Sequence, residues 1–126
     1  MKLLLDTHAM IWAFAEPRLL SAQARDAISD EENDVFVSVI SPWEIAIKRS
    51  KKKLHAPQDL DDAVTAHQFQ LLPVQLRHTK AIGSMPNHHA DPFDRMLVAQ
   101  ATIDGLTLVT SDRTLRRYPV ATLPAS

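Results

Sequence analysis

The 126-residue chain has no cysteine. Disulfides, thiolate metal sites and a cysteine nucleophile are therefore excluded, and a reducing compartment fits. Long apolar runs are missing as well. None approaches the roughly 20 residues of a membrane span. The opening "MKLLLDTHAMIWAFA" begins like a secretion signal, but Asp6 and His8 interrupt its apolar stretch. It reads as a buried strand followed by a helix, in a cytoplasmic protein. No repeat, low-complexity tract or long linker divides the chain, so one domain is expected over residues 1–126. Net charge is nearly absent, at −1, and names no partner. What is present is an ordinary globular composition, 45% apolar and 23% charged.

Strand and helix signals alternate. "KLLL" (2–5) is a short apolar run that stops at Asp6 and reads as a buried strand. Helices are expected over 8–15 and over 21–29, the second capped by Ser21. "VFVSVI" (35–40) is rich in β-branched residues and reads as a strand. Ser41 as N-cap, Pro42 at the first helical position and Glu44 at the third then spell a capping box. A helix opened by Pro57 is expected over 57–69, a strand weakened by Pro73 over 71–74, and a short helix over 77–85. "DPFDRMLVAQA" opens a helix over 92–104 that Gly105 stops. "LTLVT" (106–110) is a strand, 111–118 a turn with a short helix, and 120–123 a last strand. Such alternation predicts an α/β fold, a three-layer α/β/α arrangement around a central, mostly parallel sheet.

Ligands of open parallel sheets bind beyond the carboxyl ends of the strands. Asp6 directly follows the first strand. Glu44 follows the second by four residues, and Asp112 follows "LTLVT" by two. Asp94 lies in the first turn of a helix and can point at the same edge. Each acid also has a plainer explanation. Asp6 could bond strand-end amides, Glu44 could complete its capping box, Asp112 could serve a turn, and Asp91 and Asp94 both suit a helix start. If the four meet, their mutual repulsion requires raised pKa values or a cation. Hard oxygen donors without thiolates favour Mg²⁺ or Mn²⁺. Such an ion can activate water and neutralise charge developing on a phosphodiester.

At this point four stretches, "LLLDTHAMIWAF", "SVISPWEIAIK", "DPFDRMLVAQA" and "LVTSDRTL", together resemble the PIN-domain family, specifically its VapC-type toxin ribonucleases. The resemblance runs from about residue 2 to about residue 118. It implies a PIN-like single domain and a Mg²⁺- or Mn²⁺-dependent endoribonuclease that acts on single-stranded or looped RNA, the toxin of a type II toxin–antitoxin pair. It implies a four-acid site of Asp6, Glu44, Asp94 and Asp112, with Asp6 and Asp94 as the most direct metal ligands. Glu44 and Asp112 support them directly or through waters, and Asp91 is a further family-like acid that suits the N-cap role better. An antitoxin partner and a homodimer are implied as well.

Other residues invite attention. "KRSKKK" (48–53) holds five cations and suits either phosphate or a solvated helix end, whereas "DEEND" (30–34) is acidic. His88 and His89 suggest zinc, yet no third nitrogen ligand stands at a telling spacing, so a polar loop near the site is expected. His8 is expected on a helix packed against the sheet. Trp12, Phe14 and Trp43 read as core aromatics rather than base platforms. Thr7 and Ser111 flank two acids and read as turn and cap hydroxyls. Arg95 and Arg113 suit phosphate or their neighbouring carboxylates equally. An aspartyl-nucleophile phosphatase is disfavoured, because His8 stands where a second aspartate is wanted. A non-cleaving metal- or RNA-binding regulatory module of the same fold is the alternative, and it predicts metal binding without turnover. A purely structural role for every acid predicts no effect of divalent ions on folding.

Overall fold

The computed structural model describes residues 1–50 and 59–126, apart from the side chain of Ser50. Five strands form one sheet: β1 (Lys2–Leu5), β2 (Asp34–Ser38), β3 (Gln70–Leu72), β4 (Thr107–Thr110) and β5 (Thr122–Pro124). Their order is β3-β2-β1-β4-β5, and every neighbouring pair is parallel. Among the described residues six α-helices flank the sheet: α1 (Thr7–Ala15), α2 (Ala22–Ser29), α3 (Ile40–Ser50), α4 (Leu60–Ala66), α5 (Leu76–Ile82) and α6 (Pro92–Asp104). Short 3₁₀ turns cover Pro17–Leu19 and Arg113–Arg117. The three-layer expectation is met.

Strand alternation builds two cores. Leu3 and Leu5 point to one face, with Met10 and Ile11 of α1 and Ala24 of α2. Leu4 points to the other, with Leu97, Val98 and Ala101 of α6, and with Leu108 and Leu115. All three leucines of β1 are fully buried. Each contributes roughly 1.5–3 kcal/mol through lost apolar exposure. A strand buried on both faces must be apolar throughout, which is why "KLLL" does not alternate.

Several boundaries differ from the sequence expectation. Ile40 opens α3 instead of ending β2, and Ser38 Oγ accepts from the Ile40 amide at 3.1 Å. The expected capping box at Ser41 and Glu44 therefore does not form, because both lie inside the helix. Pro73 is excluded from β3, as its missing amide proton predicts. The helix expected from Pro57 is seen as α4 with Asp59 as N-cap, and Pro57 itself lies outside the described residues. α6 keeps its expected limits. Asp91 caps it, Pro92 is its first residue, and Gly105 closes it at φ +69°, where glycine carries no Cβ penalty. Among the described residues no helix is long and apolar enough to cross a membrane.

Candidate active site

The chain leaves β1 for β2 and β3 on one side, then crosses back to β4 and β5 on the other. The reversal lies between β1 and β4, and a crevice opens beyond the carboxyl ends of the strands there. Asp6 sits at that point. Its Oδ1 accepts from the Ala9 amide at 2.8 Å, so it caps α1. The side chain is buried, and burial raises its pKa. Hydrogen bonds from Thr110 and the Ala9 amide pull the other way.

Glu44 projects from α3 and is 4% exposed. Thr7 Oγ1 donates to its Oε1, and Lys48 Nζ donates to its Oε2 from one helical turn away. Ser41 Oγ lies 3.0 Å from the same threonine hydroxyl. Thr7 is thus a link between α1 and a buried acid rather than a simple cap. Lys48, the first cation of the run read as either a phosphate footprint or a solvated helix end, folds back to the acids. Its pKa is raised, first by the Glu44 hydrogen bond and further by the charges of Glu44, Asp91 and Asp94. Arg49 ends the described part of that basic run, and Lys51 to Lys53 lie outside the described residues.

Asp91 Oδ1 accepts from the Phe93 and Asp94 amides at 2.8 and 3.2 Å, so the N-cap role expected for it holds. Asp94, in the first turn of α6, differs from the other acids. Among the described residues no donor makes a hydrogen bond to its carboxylate, and the nearby ring nitrogen His89 Nε2 lies 3.6 Å away. Burial pushes its pKa up to about 7, reinforced by the negative charges of Asp91, Glu44 and Asp6. His89 only partly compensates.

Asp112 caps the 3₁₀ turn after β4, with Oδ1 accepting from the Thr114 amide at 2.9 Å. Its Oδ2 lies 2.8 Å from His89 Nε2. Burial works to raise its pKa, but the hydrogen bonds from His89 and Thr114 hold it below the ordinary carboxylate value. One ligand atom each from His89, Asp94 and Asp112 fall within 4.8 Å of one another.

Asp6, Asp94 and Asp112 line one hollow of about 200 Å³ together with His8, Trp12 and Ser111. Glu44 approaches from the side, close enough for its charge to raise both Asp6 and Asp94. A larger hollow of about 680 Å³ lies by the amino ends of β2 and β3, lined by Arg25, Asn33 and His67 among others, and contains none of these acids. The chemistry favours the smaller one. Its donors are hard oxygens of mutually repelling carboxylates, and the poorly compensated Asp94 fits the demand of a divalent cation.

The surroundings hold surprises. Trp43 is 57% exposed rather than core, and its ring meets Phe93 edge-on at 5.0 Å. Trp43 and Phe93 stand immediately before Glu44 and Asp94 in the sequence. His8 is exposed at the hollow instead of packing on the sheet. Phe14 does pack against the core, with Phe69. Ser111 Oγ bonds Ser126 Oγ at 2.6 Å, an ordinary surface hydroxyl contact. Arg95 Nε is buried without a partner among the described residues. The adjacency of Glu44 to Lys48 at i and i+4 was available in the sequence; the histidine loop lies near the site as expected, but the pairing of His89 with Asp112 was not legible there.

The PIN domain family model matches residues 3–121. The chain belongs to the PIN-domain family. Ribonuclease VapC22 of Mycobacterium tuberculosis (strain ATCC 25618 / H37Rv) is 32% identical to it, over 91% of this chain and 90% of that protein. VapBC2 from Rickettsia felis, solved bound to a DNA fragment from its promoter, shares the fold with a TM-score of 0.73. That match has 18% identity and covers 98% of both chains. The chain is a VapC-type PIN domain, and the order of its four motifs marks the same type.

Proposed function

We propose that this PIN domain is a metal-dependent endoribonuclease, the toxin of a type II toxin–antitoxin pair, and that it hydrolyses RNA phosphodiester bonds. The observation that carries the reading is Asp94, a half-buried carboxylate among three negative neighbours with no hydrogen-bond donor among the described residues. A site so charged repels a nucleic acid backbone unless a cation intervenes. Asp6 and Asp94 would hold Mg²⁺ or Mn²⁺, with Glu44 and Asp112 completing the acidic site. When bound, the ion supplies an acidified water and charge neutralisation at the phosphoryl group.

The chain's own residues do the positioning. Thr7 and Lys48 fix the two oxygens of Glu44, so its carboxylate cannot swing away. The Ala9 and Thr114 amides each take one oxygen of Asp6 and Asp112 and aim the rest of the carboxylate. Lys48 places a cation at the margin of the site, where an RNA phosphate would arrive. The VapC name of the relative and the VapBC composition of the structural neighbour support an antitoxin partner. A homodimer is the further expectation of this reading.

Purified protein should cleave single-stranded RNA only with Mg²⁺ or Mn²⁺ added. Asp6→Asn and Asp94→Asn should each abolish that cleavage. Metal binding without cleavage by the wild type would instead support a non-cleaving regulatory module. Equal cleavage by both variants would expose a contaminant and refute the site.

A further inference from the structure

His89 stands with Asp94 and Asp112 in an arrangement that invites a reading as a mixed nitrogen–oxygen metal site. Its own hydrogen bonds argue otherwise. The Asp91 amide donates to His89 Nδ1 at 3.0 Å. A neutral imidazole has one N–H, so a ring whose Nδ1 lone pair is already engaged carries its proton on Nε2. An Nε2 bearing a proton has no lone pair for a cation. That nitrogen lies 2.8 Å from Asp112 Oδ2, the distance of a charge-assisted donor.

We infer that His89 is a positioning residue, which donates Nε2–H to Asp112 and so holds that acid from outside the coordination shell. This rests on the divalent-cation reading above, and it leaves the cation a set of oxygens alone, the set that Mg²⁺ and Mn²⁺ prefer.

The backbone keeps the ring in this role. Tyr118 Oη accepts from the amides of His88 and His89 at 3.1 and 3.0 Å. Tyr118 is 3% exposed and belongs to the core around α6. Asp91, whose amide engages the ring, is itself the cap of α6. The chain of contacts runs from Tyr118 through the histidine loop to the start of α6 and across to the loop after β4. Turning the ring over would strand the Asp91 amide. His78 shows the same device away from the site: Nδ1 accepts from the Gln75 amide at 3.0 Å, and Nε2 meets Asp104 at 3.0 Å. There it joins α5 to the end of α6, which identifies the pattern as a way of fixing a carboxylate.

The test uses the full-length protein with ¹⁵N-labelled histidine. Long-range ¹H–¹⁵N spectra, with His89 assigned by its loss in His89→Gln, should show a pyrrole-type Nε2 and a pyridine-type Nδ1. Saturating Mg²⁺ should leave that pattern unchanged. Calorimetric titration with Mg²⁺ should find His89→Ala weaker by about tenfold or more, the usual effect of losing an outer-shell partner. His89→Gln, whose amide can still donate to Asp112, should recover most of the affinity. His89→Glu should not, since it adds a negative charge beside Asp94 and Asp112. A pyrrole-type Nδ1, a large Nε2 shift on adding Mg²⁺, or rescue by glutamate rather than glutamine would overturn the inference. If wild type binds no Mg²⁺ at all, the cation reading fails on its own, while the tautomer in the metal-free protein still decides what His89 does.

Discussion

Replacing Asp94 by asparagine should abolish cleavage and stabilise the metal-free protein. The carboxyl is raised from 3.8 to about 7 in the fold, chiefly by burial and then by its acidic neighbours. That gap corresponds to about 4 kcal/mol at about 1.4 kcal/mol per unit. The side chain is 21% exposed, and solvent and neighbour relaxation reduce the effect to about 2–4 kcal/mol. A raised carboxyl binds its proton more tightly folded than unfolded. Its contribution to stability is therefore complete below about pH 4, is lost as pH rises to about 7, and stays lost above. The asparagine of the variant has no charge to bury. For 126 residues, 1 kcal/mol corresponds to about 4 °C in Tm. Thermal unfolding in EDTA should show the two proteins together near pH 4, with Asp94→Asn melting about 8–15 °C higher at pH 8. Adding Mg²⁺ should then stabilise the wild type by mass action and leave the variant nearly unmoved. A Tm difference that does not grow with pH, or an equal response of both proteins to Mg²⁺, would refute the reasoning.

Other consequences are simpler to state. Thr7→Val leaves Glu44 Oε1 and Ser41 Oγ without their threonine partner, while Lys48 still holds Glu44 Oε2, so unfolding by urea should show a loss of about 1–3 kcal/mol, and cleavage should fall as well. Asp6→Asn keeps an acceptor for the Ala9 amide. Its Tm without metal should therefore be no lower than wild type, although its Mg²⁺-dependent cleavage disappears. Trp43→Ala should barely change Tm, because the ring is mostly in solvent. KM for single-stranded RNA should rise several-fold if the indole stacks on a base, and an unchanged KM would remove the tryptophan from the RNA surface.

How much of this was legible beforehand depends on the range of the interaction. The apolar β1, the N-cap and first turn of α6 and the stop at Gly105 are local patterns, and each is where the sequence placed it. The carboxyl-edge rule for parallel sheets then put Asp6, Glu44 and Asp112 together without any knowledge of strand order. Errors arose where another contact outweighed the expected local one. Ser41, Pro42 and Glu44 match a capping box, but Ser38, two residues away, satisfies the Ile40 amide, α3 starts one residue before Ser41, and Ser41 and Glu44 turn to Thr7 on α1. Trp43 is large and apolar, yet its neighbour Glu44 takes the buried direction, and successive helical residues face about 100° apart. His89 was unreadable because its role depends on Tyr118 and Asp112, 29 and 23 residues away.

Capping a helical segment and lining the hollow are not exclusive, and Asp6 and Asp112 do both. Asp6, Asp91 and Asp112 each give Oδ1 to an amide at the start of a helical segment. A carboxylate capped in this way has lost its rotamer freedom already, and its second oxygen is left pointing where the backbone dictates. Capping also contributes about 1 kcal/mol at each such position, which offsets part of the repulsion of gathering negative charge. Glu44 and Asp94 cap nothing; Glu44 is held instead by Thr7 and Lys48. Asp94 is placed by the rigid first turn of α6, directly after the Asp91–Pro92 start, and burial and its acidic neighbours raise its pKa to about 7 with no hydrogen bond among the described residues to offset them, whereas Asp6, also raised, has the Thr110 and Ala9 hydrogen bonds. A fold that anchors its other acids through backbone amides or, for Glu44, through Thr7 and Lys48, and leaves one undercompensated, concentrates its affinity for a cation at that one position. Asp94→Asn should consequently weaken Mg²⁺ binding more than Asp112→Asn does, and calorimetric titration showing the reverse order would move the centre of the site to the loop after β4.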